Sequence, residues 1–267
     1  MSICVTDAIV LNRTLMGDSS LLVTLYTRNL GKLKVVARGA RKPKSKLGSA
    51  LQPFTVVSVT FRRKEHHDLQ TLNQADILTV FRRLSEDLTR MAYAGAVTEL
   101  VNRLVIGEEP SEDLFTLICL TLQALNIQPP EAGEAIFWRF QLRLAASFGY
   151  APQFTRCAGC DQEIDGTAPR FSPALGAILC AGCVNQDTGA FAVSPGTIKL
   201  LVHIQQLPVD LLSRLKLSKQ AKQEIVRIIR SLFLYHMEDA RELKALQFLQ
   251  FLEEDLLPLP EAATKER

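Results

Sequence analysis

Four of the six cysteines stand in two identical knuckles, Cys157-Ala158-Gly159-Cys160 and Cys180-Ala181-Gly182-Cys183, with 19 residues between them. Thiolates two residues apart on a tight turn can grip one ion together. Two such turns complete a tetrahedral sulfur shell, the closed type of zinc site. Gly159 and Gly182 are expected to permit close approach of the backbone. Because Cys157, Cys160, Cys180 and Cys183 are all thiolates, no coordination position stays open for catalysis, and one structural Zn2+ per chain is expected. Disulfides and a redox C-x-x-C pair are the competing readings. The first conflicts with the absence of a secretory signal in Met1–Asp7, which points to a cytosolic protein. The second normally occurs once, near a βαβ unit that the sequence lacks. Cys4 and Cys119 read as core residues.

The second chemical feature is Arg38-Gly39-Ala40-Arg41-Lys42-Pro43-Lys44-Ser45-Lys46, five cations in nine residues with no acid. Gly39 and Pro43 disfavour regular structure, so a mobile cationic loop is expected. Each cation that neutralises a phosphate releases a condensed counterion, whatever the base sequence. The competing reading is a solvated charge run that keeps the protein soluble. Residues 1–80 hold 12 Lys and Arg against 5 Asp and Glu, a balance of +7; the rest carries −4, for a net +3. Localised positive charge on a neutral-to-acidic body fits one nucleic-acid face. Arg38, Arg41, Lys42, Lys44 and Lys46 are the first candidates for DNA contact, with Arg13, Arg28, Lys32 and Lys34 behind them. The turn Arg62-Arg63-Lys64 adds charge or is a solvated hairpin tip. His66 and His67 beside it read as surface residues, and His203 and His236 have no partner ligands in sequence.

These residues need elements to position them. Thr6–Leu11, Leu21–Tyr26, Lys32–Ala37, Phe54–Phe61 and Asp68–Gln74 read as five short strands separated by turn signals. They fit a small closed barrel of the OB type, although an SH3-like barrel has the same periodicity. From about residue 80 the period becomes 3.6, with Phe81, Leu84, Leu88, Met91, Ala92, Ala96 and Val97 on one helix face. Further helices are expected from Ser111 to about Asn126, over 131–148, 195–206, 218–237 and 239–256, with a frayed tail over 258–267. Between the knuckles, Gly166, Pro169, Pro173 and Gly176 leave room only for short strands at Arg170–Ser172 and Ala177–Leu179. Such a segment is too small to bury a core, so metal would supply its folding energy, on the order of 10 kcal/mol or more.

The apolar fraction of 47% and charged fraction of 22% are ordinary for a globular protein, and no apolar run approaches a membrane span. No Walker A loop, dinucleotide turn, H-E-x-x-H or nucleophile elbow is present, so nuclease or ATPase activity has no support. Tyr26, Phe54 and Phe61, the aromatics of the barrel region, read as core. The cations are thus plentiful and the stacking platforms scarce. Phosphate-dominated binding with little base preference is expected, which leaves Watson–Crick edges free to pair.

Gly31-Lys32-Leu33-Lys34-Val35-Val36-Ala37 running through the basic loop to Gly48, then Leu51-Gln52-Pro53-Phe54, resembles the signature of the bacterial recombination-mediator family RecO. Phe148-Gly149-Tyr150 leading into the first knuckle resembles the same family, as does Arg241-Glu242-Leu243-Lys244-Ala245-Leu246 with Phe248-Leu249. The resemblance implies an α+β protein: an N-terminal five-stranded OB-type barrel (1–79) and a mainly helical domain (80–267), with an inserted four-cysteine zinc module (153–191). It implies binding to single- and double-stranded DNA, strand annealing, and work with RecR and sometimes RecF to load RecA onto DNA coated by single-strand-binding protein. Contact with the acidic, apolar tail of that protein needs an apolar floor and a basic rim. Phe137-Trp138-Arg139-Phe140-Gln141-Leu142-Arg143 has that chemistry, through Trp138, Arg139 and Arg143; an apolar core helix with two exposed arginines is the competing reading. Two other classes stay open: a protein-binding adaptor, and a nucleic-acid-processing enzyme that uses the barrel for capture.

Overall fold

The computed structural model describes residues 2–63, 69–164, 168–237, 244 and 247. Five strands form the first unit: β1 (Ser2–Met16), β2 (Ser20–Thr27), β3 (Gly31–Ala37), β4 (Val56–Arg63) and β5 (Leu69–Thr79), with a short helix α1 (Lys46–Ala50) between β3 and β4. They close in the order β1-β2-β3-β5-β4, with β3 and β5 parallel and the other pairs antiparallel. This is an OB-type barrel, so the SH3-like alternative falls away. β1 is long because it serves two neighbours: Ser2–Ile9 pair with β4, and Ala8–Met16 pair with β2. A register shift between Val10 and Asn12 adds the bend that this change of partner requires.

The strands are buried on both sides where they meet the rest of the molecule. Ala8, Val10, Val23, Leu25, Val35, Val57, Val59 and Phe61 fill the barrel. Ile9, Leu11, Tyr26 and Val56 point the other way and belong to the large core formed with the helices. Tyr26 and Phe61 are fully buried, as expected of core aromatics; Phe54 is half-buried against the large core, with φ at +68°.

The helical body follows, with α2 (Arg83–Glu86), α3 (Leu88–Leu104), α4 (Glu112–Ile127) and α5 (Gly133–Ser147). The helix expected across residue 87 is in fact two. Asp87 is extended at φ −134°, and its carboxylate accepts the Arg90 N–H at 2.8 Å, so it caps a new helix. Ser111 caps α4 in the same way through the Leu114 N–H. A four-stranded sheet comes next: β6 (Gln153–Cys157), β7 (Arg170–Ser172), β8 (Ala177–Leu179) and β9 (Phe191–Ala192), in the order β6-β8-β7-β9. Two helices return to the body, α6 (Pro195–Gln206) and α7 (Lys219–His236).

The small sheet is less independent than its length suggests. Phe154, Phe171 and Ile178 are buried in the large core. Gln205 donates to the Pro152 carbonyl at 3.1 Å, a His236 ring nitrogen lies 2.9 Å from the Pro173 carbonyl, and Arg227 sits 3.9 Å over the Phe191 ring. The body therefore shares the stabilisation that the sequence assigned to metal alone. The expected helix over 239–256 lies outside the described residues, apart from Lys244 and Gln247, which are helical. Lys64, His66 and His67, Arg241 and its neighbours, and the tail also lie outside them.

Candidate nucleic-acid interface and metal centre

Each cysteine knuckle is a tight turn at the end of a strand. β6 ends on Cys157, whose carbonyl accepts the Asp161 N–H at 2.9 Å; β8 leads into Cys180, whose carbonyl accepts the Cys183 N–H at 3.0 Å. The turns face each other, and all four Sγ atoms lie within 4.8 Å of one another. The Cys160 and Cys180 sulfurs are 3.8 Å apart, too far for a disulfide. That spacing matches the edge of a sulfur tetrahedron with Zn–S near ~2.3 Å, which is ~3.8 Å. The Cys157 sulfur also accepts N–H bonds from Gly159 (3.4 Å) and Cys180 (3.3 Å). Burial pushes the Cys157 thiol up, but the N–H donors of Cys180 and Gly159 outweigh it and bring the thiol down to about 6. The donor set thus favours thiolate at the most buried of the four positions and fits a soft divalent cation. Only one of the two glycines is sterically required: a Cβ on Gly159 would lie 2.8 Å from the Cys183 Cβ, whereas one on Gly182 would meet nothing closer than 3.9 Å. Cys4 and Cys119 are half-buried and packed against the barrel core and the large core respectively.

The basic loop is a succession of turns, not a strand or helix, until Lys46 opens α1. Gly39 takes φ +66°, the Lys42 N–H reaches the Gly39 carbonyl at 3.1 Å, and the Ser45 N–H reaches the Lys42 carbonyl at 2.9 Å. Ala40 is buried in the barrel core, and a Cβ on Gly48 would lie 2.4 Å from the Ala40 carbonyl oxygen, so α1 packs directly on the loop. Arg41 fixes the far side. Its N–H donates to the Ser19 carbonyl at 3.0 Å, and its guanidinium donates to the carbonyls of Gly17 (3.3 Å) and Asp18 (3.1 Å) at the tip of the β1–β2 hairpin. The loop is therefore held in place, in contrast to the mobile loop that composition suggests.

Between the loop, the hairpin tip and the start of β5 lies a hollow of about 840 Å³, lined by Arg38, Lys42, Met16, Val36 and Leu69 among others. Lys34 lies on the same face of β3 as Val36, opposite Leu69 in register, and is exposed. Lys44 and Lys46 are exposed farther along the loop. The structure thus brings Arg38 and Lys42 to the hollow, ties Arg41 to the hairpin tip beside it, and sets Lys34 next to Leu69 on β3. Arg13 is half-buried on β1 opposite Val23.

Three other cations, Lys32, Arg28 and Arg63, are engaged with the helical body. Lys32 donates to the Asn102 carbonyl at 2.8 Å, and burial, then Lys34, depresses its pKa. Arg28 pairs with Glu112 at 2.8 Å and Asp7 at 3.6 Å, with its guanidinium 4.7 Å over the Phe115 ring. Arg63 pairs with Glu108 at 3.0 Å. Part of the positive charge of the barrel is therefore matched by the acidic Glu108–Glu112 segment.

On α5, Trp138 is only 4% exposed, in the large core. Arg139 donates to the carbonyls of Ile204 (2.7 Å) and Gln205 (2.9 Å), and burial, then Arg143, pushes it down to about 10. Arg143 alone of the three is exposed. Met16 and Leu69 were not singled out in the sequence, because their meeting at the hollow depends on the pairing of β1 with β2 and of β3 with β5. The hairpin tip was missed as well, although Gly17-Asp18 marks the turn.

The sequence profile described as Recombination protein O N terminal matches residues 1–81, and the one described as Recombination protein O C terminal matches residues 85–246. The chain belongs to the RecO family. Its relatives include the DNA repair protein RecO of Pelotomaculum thermopropionicum, 34% identical over 249 residues, covering 93% of this chain and 94% of that protein. The RecO protein of Symbiobacterium thermophilum is 32% identical over 254 residues, covering 94% and 98%. That of Roseiflexus is 34% identical, covering 91% and 84%. The chain is thus a member of a family of DNA repair proteins, with a five-stranded barrel, a helical region and a four-cysteine cluster that fits a metal ion. Among the described residues, no helix is long and apolar enough to cross a membrane.

Proposed function

We propose that the chain is a non-enzymatic recombination mediator that binds single- and double-stranded DNA through its barrel and anneals complementary strands. The observation that carries this reading is the cationic loop tied to the hairpin tip, whose Arg38 and Lys42 line a hollow on the barrel, with Lys34, Lys44 and Lys46 exposed on β3 and farther along the loop. Phosphate neutralisation makes such binding steeply salt-dependent and indifferent to sequence. Strands held by their backbones keep their base edges available for pairing. In this reading the protein works with RecR, and with RecF where present, to help RecA replace single-strand-binding protein on DNA. It acts in the cytoplasm, at the nucleoid. Its contact with the tail of single-strand-binding protein would draw on Arg143 on the surface of α5, since Trp138 and Arg139 face inward.

The same proposal assigns one structural Zn2+ per chain to Cys157, Cys160, Cys180 and Cys183. When bound, the ion would tie β6 to the turn after β8, and the closed thiolate shell supplies no reactive position.

Annealing rates of complementary strands, with and without single-strand-binding protein, test the mediator reading when compared between the native chain and Lys42→Glu/Lys44→Glu. Both lysines are exposed, so the fold should be unaffected. The double variant should lose roughly ten-fold or more in DNA affinity at low salt, with a parallel loss of annealing. Equal affinity and equal rates would overturn the assignment.

A further inference from the structure

We infer that the hollow beside the cationic loop is a one-nucleotide subsite, in which Arg38 and Lys42 hold a phosphate while Met16 and Leu69 pack against a base. This deepens the DNA-binding reading above and rests on it. The strand order places β3 between β2 and β5, so the hairpin tip flanks the hollow on one side and the start of β5 on the other. Each flank contributes one apolar side chain left in contact with solvent: Met16 is 41% exposed and Leu69 is 40% exposed, and both line the hollow. Val36 lies between them on β3 and is buried. The cations enter from the loop at the end of β3. The site is therefore amphipathic, with apolar flanks and a cationic edge.

A nucleotide has the matching chemistry, an anionic phosphate joined to an apolar base face. A volume of about 840 Å³ leaves ample room for one. A peptide strand is a poorer occupant. The β2, β3 and β5 backbones are already paired with one another, with Leu21–Thr27 against Gly31–Ala37 and Lys34–Val36 against Leu69–Thr71. Over these paired stretches the described residues leave no row of free backbone donors and acceptors for a peptide to pair with. A thioether and an isobutyl group carry no hydrogen-bond code, so the contact accepts any base. The Arg41 bonds tie the loop to the hairpin tip and so fix the cationic edge against the Met16 flank, which makes Arg41 a positioning residue and Arg38 and Lys42 the phosphate contacts.

Fluorescence anisotropy with an oligothymidylate and an abasic oligomer of equal length and charge tests the subsite on the full chain. The native protein should bind the thymidylate about fivefold more tightly, from the apolar area of Met16 and Leu69 that a base covers. Met16→Ser/Leu69→Ser should bind the two oligomers equally and keep the native salt slope. Arg38→Ala/Lys42→Ala should lower that slope by about two and retain the preference for bases. Native protein that binds both oligomers alike, or a Met16/Leu69 variant that still prefers bases, overturns the base contact and leaves the phosphate reading intact. A salt slope unmoved by Arg38→Ala/Lys42→Ala removes the phosphate contact, and the cationic reading of the loop with it.

Discussion

Cations of one charge do different jobs here, and geometry separates them. Arg41 gives guanidinium bonds to two carbonyls of the hairpin tip, whereas Arg38 and Lys42 face the hollow. Both bonds leave one guanidinium nitrogen, Nη1, and a lysine keeps the charge of Arg41 but carries its ammonium on a different stem, away from that position. Arg41→Lys should therefore weaken DNA binding several-fold at an unchanged salt slope, while Arg38→Ala should reduce the slope by about one, both readable in anisotropy titrations. Glu224 illustrates a different role. Its carboxylate accepts the Ser194 N–H at 3.0 Å and the Ser194 hydroxyl at 2.7 Å, tying α7 to the start of α6. Burial acts to raise its pKa, but the bonds from Ser194, Thr197 and Gln220 outweigh it and hold the group down to about 2. The folded value lies below the unfolded one, so this stabilisation is complete above about pH 5 and drains away as pH falls toward 2. Glu224→Gln should be less stable at neutral pH and should show a shallower loss of stability across that window in acid titrations followed by circular dichroism.

At the scale of elements, three helices end on a cation sent from elsewhere. Lys32 on β3 donates to Asn102 near the end of α3. Arg90 on α3 donates to Leu125 and Asn126 near the end of α4. Arg139 on α5 donates to Ile204 and Gln205 near the end of α6. Each satisfies carbonyls that a helix cannot pair internally and meets the negative end of its dipole. Arg139→Ala should lower unfolding free energy by about 2–3 kcal/mol in urea melts and leave the salt slope of DNA binding unchanged. These contacts were illegible in the sequence because donor and acceptor stand 70, 35 and 65 residues apart. Lys32 and Arg139 accordingly look like surface charges there. The strands were legible because Gly17-Asp18 and Asn29-Leu30-Gly31 punctuate them, and β7 and β8 fall within Arg170–Ser172 and Ala177–Leu179 as read. The break at Asp87 carried a visible signal too, an acid just before Leu88, but the continuous apolar face of Phe81 to Val97 concealed it. The metal cluster was the most legible feature, since two knuckles of fixed spacing leave sulfurs few places to go.

For the whole molecule, the cysteine cluster and the cationic loop lie in separate units, and their perturbations should separate as well. Cys157→Ser should lower the melting temperature and increase amide exchange over 153–191, an effect reproduced by a strong chelator on the native chain. DNA salt slope should be native-like in both cases, and native protein should contain one zinc per chain by elemental analysis. The net charge of +3 hides the surplus of +7 carried by residues 1–80. It also overstates the free cations, because Arg28, Lys32 and Arg63 are committed to the helical body.

The side chains of Ile9, Leu11, Tyr26 and Val56 point out of the barrel into the helical core. Truncation after Thr79 would strip that cover and leave a greasy flank on an otherwise charged fragment. Size-exclusion chromatography should find such a fragment self-associated or insoluble, and calorimetry of the intact chain should record the barrel and helices melting together. For anyone dissecting this protein by deletion, the barrel is not a detachable part.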